Sequence, residues 1–118
     1  MTIPQITYRG MPHSPAMDTR INELVAKLDD LHPRITRCHV VVDETDRRKT
    51  KGNLFEVHVD LHVPGADIVA TQKANEDAYV AISEAFEVVT RQLEDTIRRQ
   101  RGEVKRHRRG PQSEIAPP

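Results

Sequence analysis

The sequence predicts an α+β domain of order β-α-β-β-β-α, a four-stranded sheet with two helices packed on one face. Three observations carry this. Two segments repeat apolar residues at steps of three and four, the period of a helix with one buried side. One segment, Asn53–Val63, alternates strictly: Phe55, Val57, Val59, Leu61 and Val63 against Glu56, His58, Asp60 and His62. That alternation belongs to a sheet covered on one face and wet on the other. Two apolar stripes and one apolar sheet face close a single two-layer core, and 118 residues suffice for one such core.

The elements follow in order. Ile3–Tyr8 reads as a short first strand, at an edge because Pro4 lacks a donor. Gly10 to Ser14 is a turn. Ser14 and Pro15 then open a helix as N-cap and first helical residue. Its stripe is Met17, Ile21, Leu24, Leu28 and Leu31, and His32-Pro33 ends it. Arg34–Asp43 is a strand with Cys38, Val40 and Val42 on one face and Arg37, His39, Val41 and Asp43 on the other. Glu44–Gly52 is a polar, basic hairpin loop before the Asn53–Val63 strand. Pro64-Gly65 turns the chain into a fourth strand, Asp67–Lys73.

The last helix spans Asn75 to Arg109, with Asn75 as N-cap and a stripe of Tyr79, Ile82, Phe86, Val89, Leu93 and Ile97. Residues 1–105 form one domain. Residues 106–118 are a basic and then Pro-rich tail, and Gly110–Pro118 is expected to be disordered.

Charge is the functional signal. The formal net charge is zero, but its distribution is uneven. Residues 34–51 carry six basic and three acidic groups, residues 52–90 one and seven, and residues 91–109 eight and three. Segregated charge of this kind addresses a polyanion while the total stays neutral. The candidate RNA-binding residues are Arg91, Arg98, Arg99, Arg101, Lys105, Arg106, Arg108 and Arg109 on the last helix, with Arg47, Arg48, Lys49 and Lys51 in the loop. Arginine dominates, and its planar fork suits phosphate. The four aromatic residues and absent Trp argue against base stacking as the main mode.

Other chemistries find little support. The single Cys38 excludes an intramolecular disulfide and a cysteine-rich zinc site. His58, Asp60 and His62 share one strand face, with His39 nearby, and a solvated polar face explains them better than a metal. No catalytic constellation, Gly-rich phosphate loop, cofactor motif or small-molecule site is evident. No segment approaches the length of a membrane span and no signal-peptide pattern opens the chain, so the cytoplasm is the expected compartment.

Asp77-Ala78-Tyr79-Val80-Ala81-Ile82, directly after a strand, resembles the D-x-Y-x-A-I signature of the ribosome hibernation promoting factor family, which includes the ribosome-associated inhibitor and sigma-54 modulation type proteins. Arg91-Gln92-Leu93 is similar to its R-Q-L stretch, and the element order is the same. The resemblance covers about residues 3–105. It implies a non-enzymatic translation inhibitor of stress or stationary phase. Such a factor binds small-subunit rRNA in the decoding channel and competes there with tRNA and mRNA. It also implies a short family type, without the C-terminal domain that pairs ribosomes. Arg91 and Arg99 fall where the family is basic, whereas Val88 and Asp95 stand where lysines are expected. Charge alone is equally compatible with a generic RNA-binding or ribosome-assembly module. The acidic 52–90 region is compatible with a regulator that meets a basic protein.

Overall fold

The computed structural model describes residues 2–46 and 53–108. It contains β1 (Gln5–Arg9), α1 (Pro15–Leu31), β2 (Arg37–Asp46), β3 (Asn53–Val63), β4 (Ala66–Asn75) and α2 (Ala78–Arg108). The sheet order is β1-β2-β3-β4. β1 pairs parallel to β2, as the intervening helical crossover requires, and the other two pairs are antiparallel. Cys38, Val40, Val42, Val57, Val59, Leu61, Val63, Ile68 and Ala70 turn to one face and are buried there with both helices. The α+β class, the element order and the two-layer arrangement are those the sequence predicts.

Several boundaries move, each for a tertiary reason. β2 starts at Arg37 rather than Arg34 and runs on to Asp46, because Glu44, Thr45 and Asp46 pair with Phe55, Leu54 and Asn53. Part of the expected 44–52 loop is therefore ladder. Residues 47–52, with Arg47, Arg48, Lys49 and Lys51, lie outside the described residues, as do Arg109 and the Pro-rich 110–118 segment. β4 extends to Asn75, which pairs with Phe55 past a register shift, so Asn75 belongs to a strand and does not cap α2. Asp77 does: its Oδ1 accepts the N–H of Tyr79 at 2.9 Å and of Val80 at 3.4 Å, the second and third helical positions.

The helix stripes shift as well. Tyr79 is 42% exposed, and Ala78, Ala81 and Ala85 are buried in its place beside Ile82, Phe86, Val89 and Leu93. Alanines allow α2 to approach the sheet closely. On α1, Val25 is buried while Leu31 is exposed; the stripe is Met17, Ile21, Val25 and Leu28, with Leu24 at its margin.

The β1–α1 connection is held tightly. Ser14 caps α1 by accepting the Met17 N–H at 3.3 Å. Tyr8 donates to Asp18 Oδ1 at 2.6 Å, and His13 meets the other Asp18 oxygen. The Tyr8 hydroxyl bond holds the Asp18 carboxyl below the usual carboxylate range; partial burial opposes this, and His13 adds to it. Burial and the same carboxylate raise Tyr8. Gly10 has φ +71°, and a Cβ there would lie 2.4 Å from the Glu44 carbonyl oxygen.

Gly10→Ala therefore destabilises the fold by at least about 2 kcal/mol, from the left-handed backbone and the clash. Gly102→Ala, which meets nothing within 4 Å, is neutral or stabilising by up to about 1 kcal/mol. Denaturant unfolding of both variants checks the contrast, and equal midpoints contradict it. The lowered Asp18 carboxyl contributes stability above the unfolded-chain value, about pH 4, and loses it as pH falls through the folded value. Asp18→Asn is thus less stable than the parent at pH 7, and the gap narrows below about pH 4. Thermal melts across pH test this; a gap constant with pH contradicts it.

Candidate nucleic-acid interface

α2 is longer than the sheet it covers. Its 31 residues span about 46 Å at 1.5 Å each, whereas the 11 residues of β3 span about 33 Å. Leu93 is the last fully buried side chain, with Thr96 and Ile97 at the rim. Gln100 Nε2 then donates to the Pro64 carbonyl at 3.0 Å, fixing the helix to the β3–β4 turn. From Arg101 to Arg108 the helix runs on past that anchor, and Lys105, Arg106 and Arg108 belong to its final turns.

The predicted cations that the structure describes are solvent-facing. Arg91, Arg98, Arg99 and Arg101 are all exposed. At 100° per residue Arg91 and Arg98 lie about 140–160° round the helix from Leu93, directly away from the core. Arg98 Nη2 pairs with Asp95 at 2.7 Å. Arg91, Arg99 and Arg101 make no ion pair among the described residues.

A groove of about 430 Å³ lies between α1 and α2. Leu24 and Phe86 contribute apolar surface, Ser83 and Thr90 hydroxyls, and Glu87 one carboxylate. Arg20 and Lys27 come from α1 and Arg91 from α2. Arg20 also meets Glu23 at 3.3 Å. Arg101 lies eleven residues, or three turns, beyond Thr90 and so on the same side of α2. The groove's cationic flank thereby continues along the helix. The cations at intervals along this track suit phosphates, and the single carboxylate of Glu87 opposes them. Arg20 and Lys27 were not evident from composition, because residues 1–33 carry a net negative charge. Their seven-residue spacing on a helix was the available signal.

The paired residues Asp46 and Asn53 lie at the end of the sheet where α2 begins, and Gln100, next to Arg98, Arg99 and Arg101, lies beside Pro64 at the other end. Arg37 lies on the outer sheet face, opposite the helices, where its Nη2 bonds His62 Nε2 at 2.7 Å. That face is acidic, with Asp43, Glu56, Asp60 and Asp67 at outer positions.

Its histidines are engaged with neighbours: His39 with Thr7 at 3.0 Å, His58 with Thr71 and Glu56 at 3.0 and 3.1 Å, and His62 with Asp67 at 2.5 Å. Among the described residues no three His, Cys, Asp or Glu side chains are arranged to hold a metal ion. Cys38 sits in the core, and burial pushes its thiol up to about 12. No described helix is long and apolar enough to cross a membrane.

Comparison with known proteins gives a consistent set of relatives. The model of the family described as sigma 54 modulation protein / S30EA ribosomal protein matches residues 5–101. A ribosome hibernation promotion factor of Deinococcus radiodurans is 31% identical over 93 residues, covering 79% of this chain and 48% of that protein. The chain thus spans about half the length of the curated relative it matches. Two solved structures share the fold. A ribosomal subunit interface protein from Coxiella burnetii has a TM-score of 0.67 at 20% identity, over 81% of this chain and 97% of that one. The N-terminal domain of Thermus thermophilus Protein Y has a TM-score of 0.62 at 19% identity, over 84% and 98%.

If the groove is a polyanion track, its charge sets retention on heparin. Arg20→Glu/Lys27→Glu elutes at lower salt than the parent, and Glu87→Lys elutes later. Unchanged elution of both variants contradicts the assignment.

Proposed function

The chain belongs to the sigma 54 modulation protein / S30EA ribosomal protein family, and from that premise we propose that it is a ribosome-associated translation regulator, a hibernation factor without chemistry of its own. It binds small-subunit rRNA in the decoding channel, excludes tRNA and mRNA, and acts in the cytoplasm under stress or in stationary phase. The observation that carries this reading is the line of cations that starts at the α1–α2 groove and follows the exposed side of α2. Arg20, Lys27, Arg91, Arg98, Arg99 and Arg101 stand on the helical layer, and the opposite sheet face is acidic. A helix anchored through Gln100 presents its cations at fixed spacing, so their entropy cost on meeting phosphates is small. Contacts to phosphate position a protein without reading sequence, which suits the occupation of a preformed RNA channel. The similarity to the ribosome hibernation promotion factor of Deinococcus radiodurans supports the hibernation role, with 31% identity over 79% of this chain.

The loop residues Arg47, Arg48, Lys49 and Lys51 and the terminal cations Lys105, Arg106, Arg108 and Arg109 extend this surface in the proposal. The groove lies between α1 and α2 and Gln100 is bonded at Pro64, so the bound RNA runs along the helical layer.

Six helical-layer cations, at about 0.7 to 0.9 per phosphate contact, give a slope of about −4 to −5 for log affinity against log salt. Cosedimentation with purified small subunits measures it. Arg98→Glu/Arg99→Glu/Arg101→Glu keeps a cooperative melt and reduces the slope magnitude by about 2 to 3, and prebound tRNA blocks the parent. A flat salt dependence overturns the RNA contact. Salt-dependent binding indifferent to tRNA moves the site away from the decoding channel.

A further inference from the structure

His62 occupies a position where its protonation state decides which neighbour it holds. Its backbone is fixed: Thr36 donates to the His62 carbonyl through N–H at 2.9 Å and through Oγ1 at 3.1 Å. Around the ring stand Arg37 and His39 on β2, Asp60 and His58 on β3 itself, and Asp67 on β4; the helices cover the other face of the sheet. Nδ1 lies 2.5 Å from Asp67 Oδ1, and Nε2 lies 2.7 Å from Arg37 Nη2. An arginine has only donors and an ionised carboxylate only acceptors. One arrangement satisfies both contacts: a neutral ring with Nδ1–H donating to Asp67 and the Nε2 lone pair accepting from Arg37.

A third group is left over. Asp60 Oδ1 lies 3.2 Å from the same Nε2, yet it is buried and has no hydrogen-bond partner. An unsatisfied buried acceptor beside an occupied lone pair is a receptor for the next proton.

We propose that His62 is a proton-operated latch on Arg37. A proton taken from solvent onto Nε2 removes the lone pair that Arg37 uses and places a like charge against the guanidinium. A small turn of the ring directs the new N–H onto Asp60 Oδ1, while Nδ1–H stays on Asp67. The imidazolium then sits between two carboxylates and Arg37 is released. Arg37 lies opposite His62, one residue before the Pro64 turn to which Gln100 is bonded. The freed guanidinium therefore belongs to the end of the sheet from which the arginine-rich part of α2 extends.

Resting on the RNA-binding reading above, the latch makes Arg37 an additional phosphate contact that becomes available on acidification. Histidine is the side chain whose charge changes near neutral pH.

Nitrogen-15 NMR tests the latch without any ribosome. At about pH 8 the His62 ring is expected as the Nδ1–H tautomer and the Arg37 Nη protons as slowly exchanging. As His62 protonates, the Arg37 signals shift and their exchange protection falls. An Nε2–H tautomer at high pH, or Arg37 signals indifferent to the His62 titration, overturns the proposal. Binding to purified small subunits tests the consequence. The parent's salt slope steepens by about one unit on acidification, whereas His62→Gln and Arg37→Gln do not steepen. Glutamine still accepts from Arg37 but carries no titrating proton. His39 and His58 are common to the parent and His62→Gln, so the same steepening in His62→Gln overturns the latch. Absence of binding at every pH overturns the RNA reading instead, and the NMR titration still decides the latch.

Discussion

The packing of α2 against the sheet is the constraint on which everything else rests. Ala78, Ala81, Ile82, Ala85, Phe86, Val89 and Leu93 pack over β3 and β4, in one buried core with Val57, Val59, Leu61, Ile68 and Ala70. Each large side chain contributes about 1.5–3 kcal/mol by leaving water. The contact fixes the rotation of the helix about its own axis. With Leu93 turned inward, Arg91 and Arg98 must face outward and Thr90 must line the groove beside α1. A rotation by one residue would carry these cations toward the sheet. The site is thus a consequence of the core: no loop has to be ordered to place Arg20, Lys27, Arg91 or Arg101.

The same two-layer architecture bears on how a chain of zero net charge would address a polyanion, as proposed. A sheet covered on one face has a wet face to decorate, and here that face carries carboxylates and histidines. The two helices carry nine arginines and lysines and nine carboxylates, and the cations gather at the groove and along the second half of α2. The charges do not neutralise one another across the molecule, because the core separates the layers by about 10 Å, roughly a Debye length at physiological salt. Within the acidic face, and among the described residues, Arg37 is held by His62 and not by a carboxylate.

Much of this was legible in the sequence. The β3 alternation and the two stripes gave the layers, and the charge census pointed to α2. What was missed follows from interactions between elements. Asn75 looked like a cap because Glu76 and Asp77 follow it, yet pairing with Phe55 keeps it in β4 and leaves the cap to Asp77. Tyr79 looked apolar by spacing, but alanines one residue before it and two after allow the closer approach. Arg20 and Lys27 were hidden by a net acidic segment, since only the fold shows that α1's exposed flank borders α2. The Arg37–His62–Asp60 arrangement needed the register of β2 against β3, which no periodicity supplies.

The central claim is that, while Arg37 is bonded to His62, the helical layer and not the sheet face meets RNA. Because Cys38 is buried, a single introduced cysteine can carry an iron chelate for directed hydroxyl-radical cleavage. Glu94→Cys places it on the exposed side of α2 and Val69→Cys on the outer sheet face, at a residue 60% exposed. The account predicts cuts in small-subunit rRNA from the position 94 probe and none from the position 69 probe. Cleavage from position 69 with none from position 94 would contradict it.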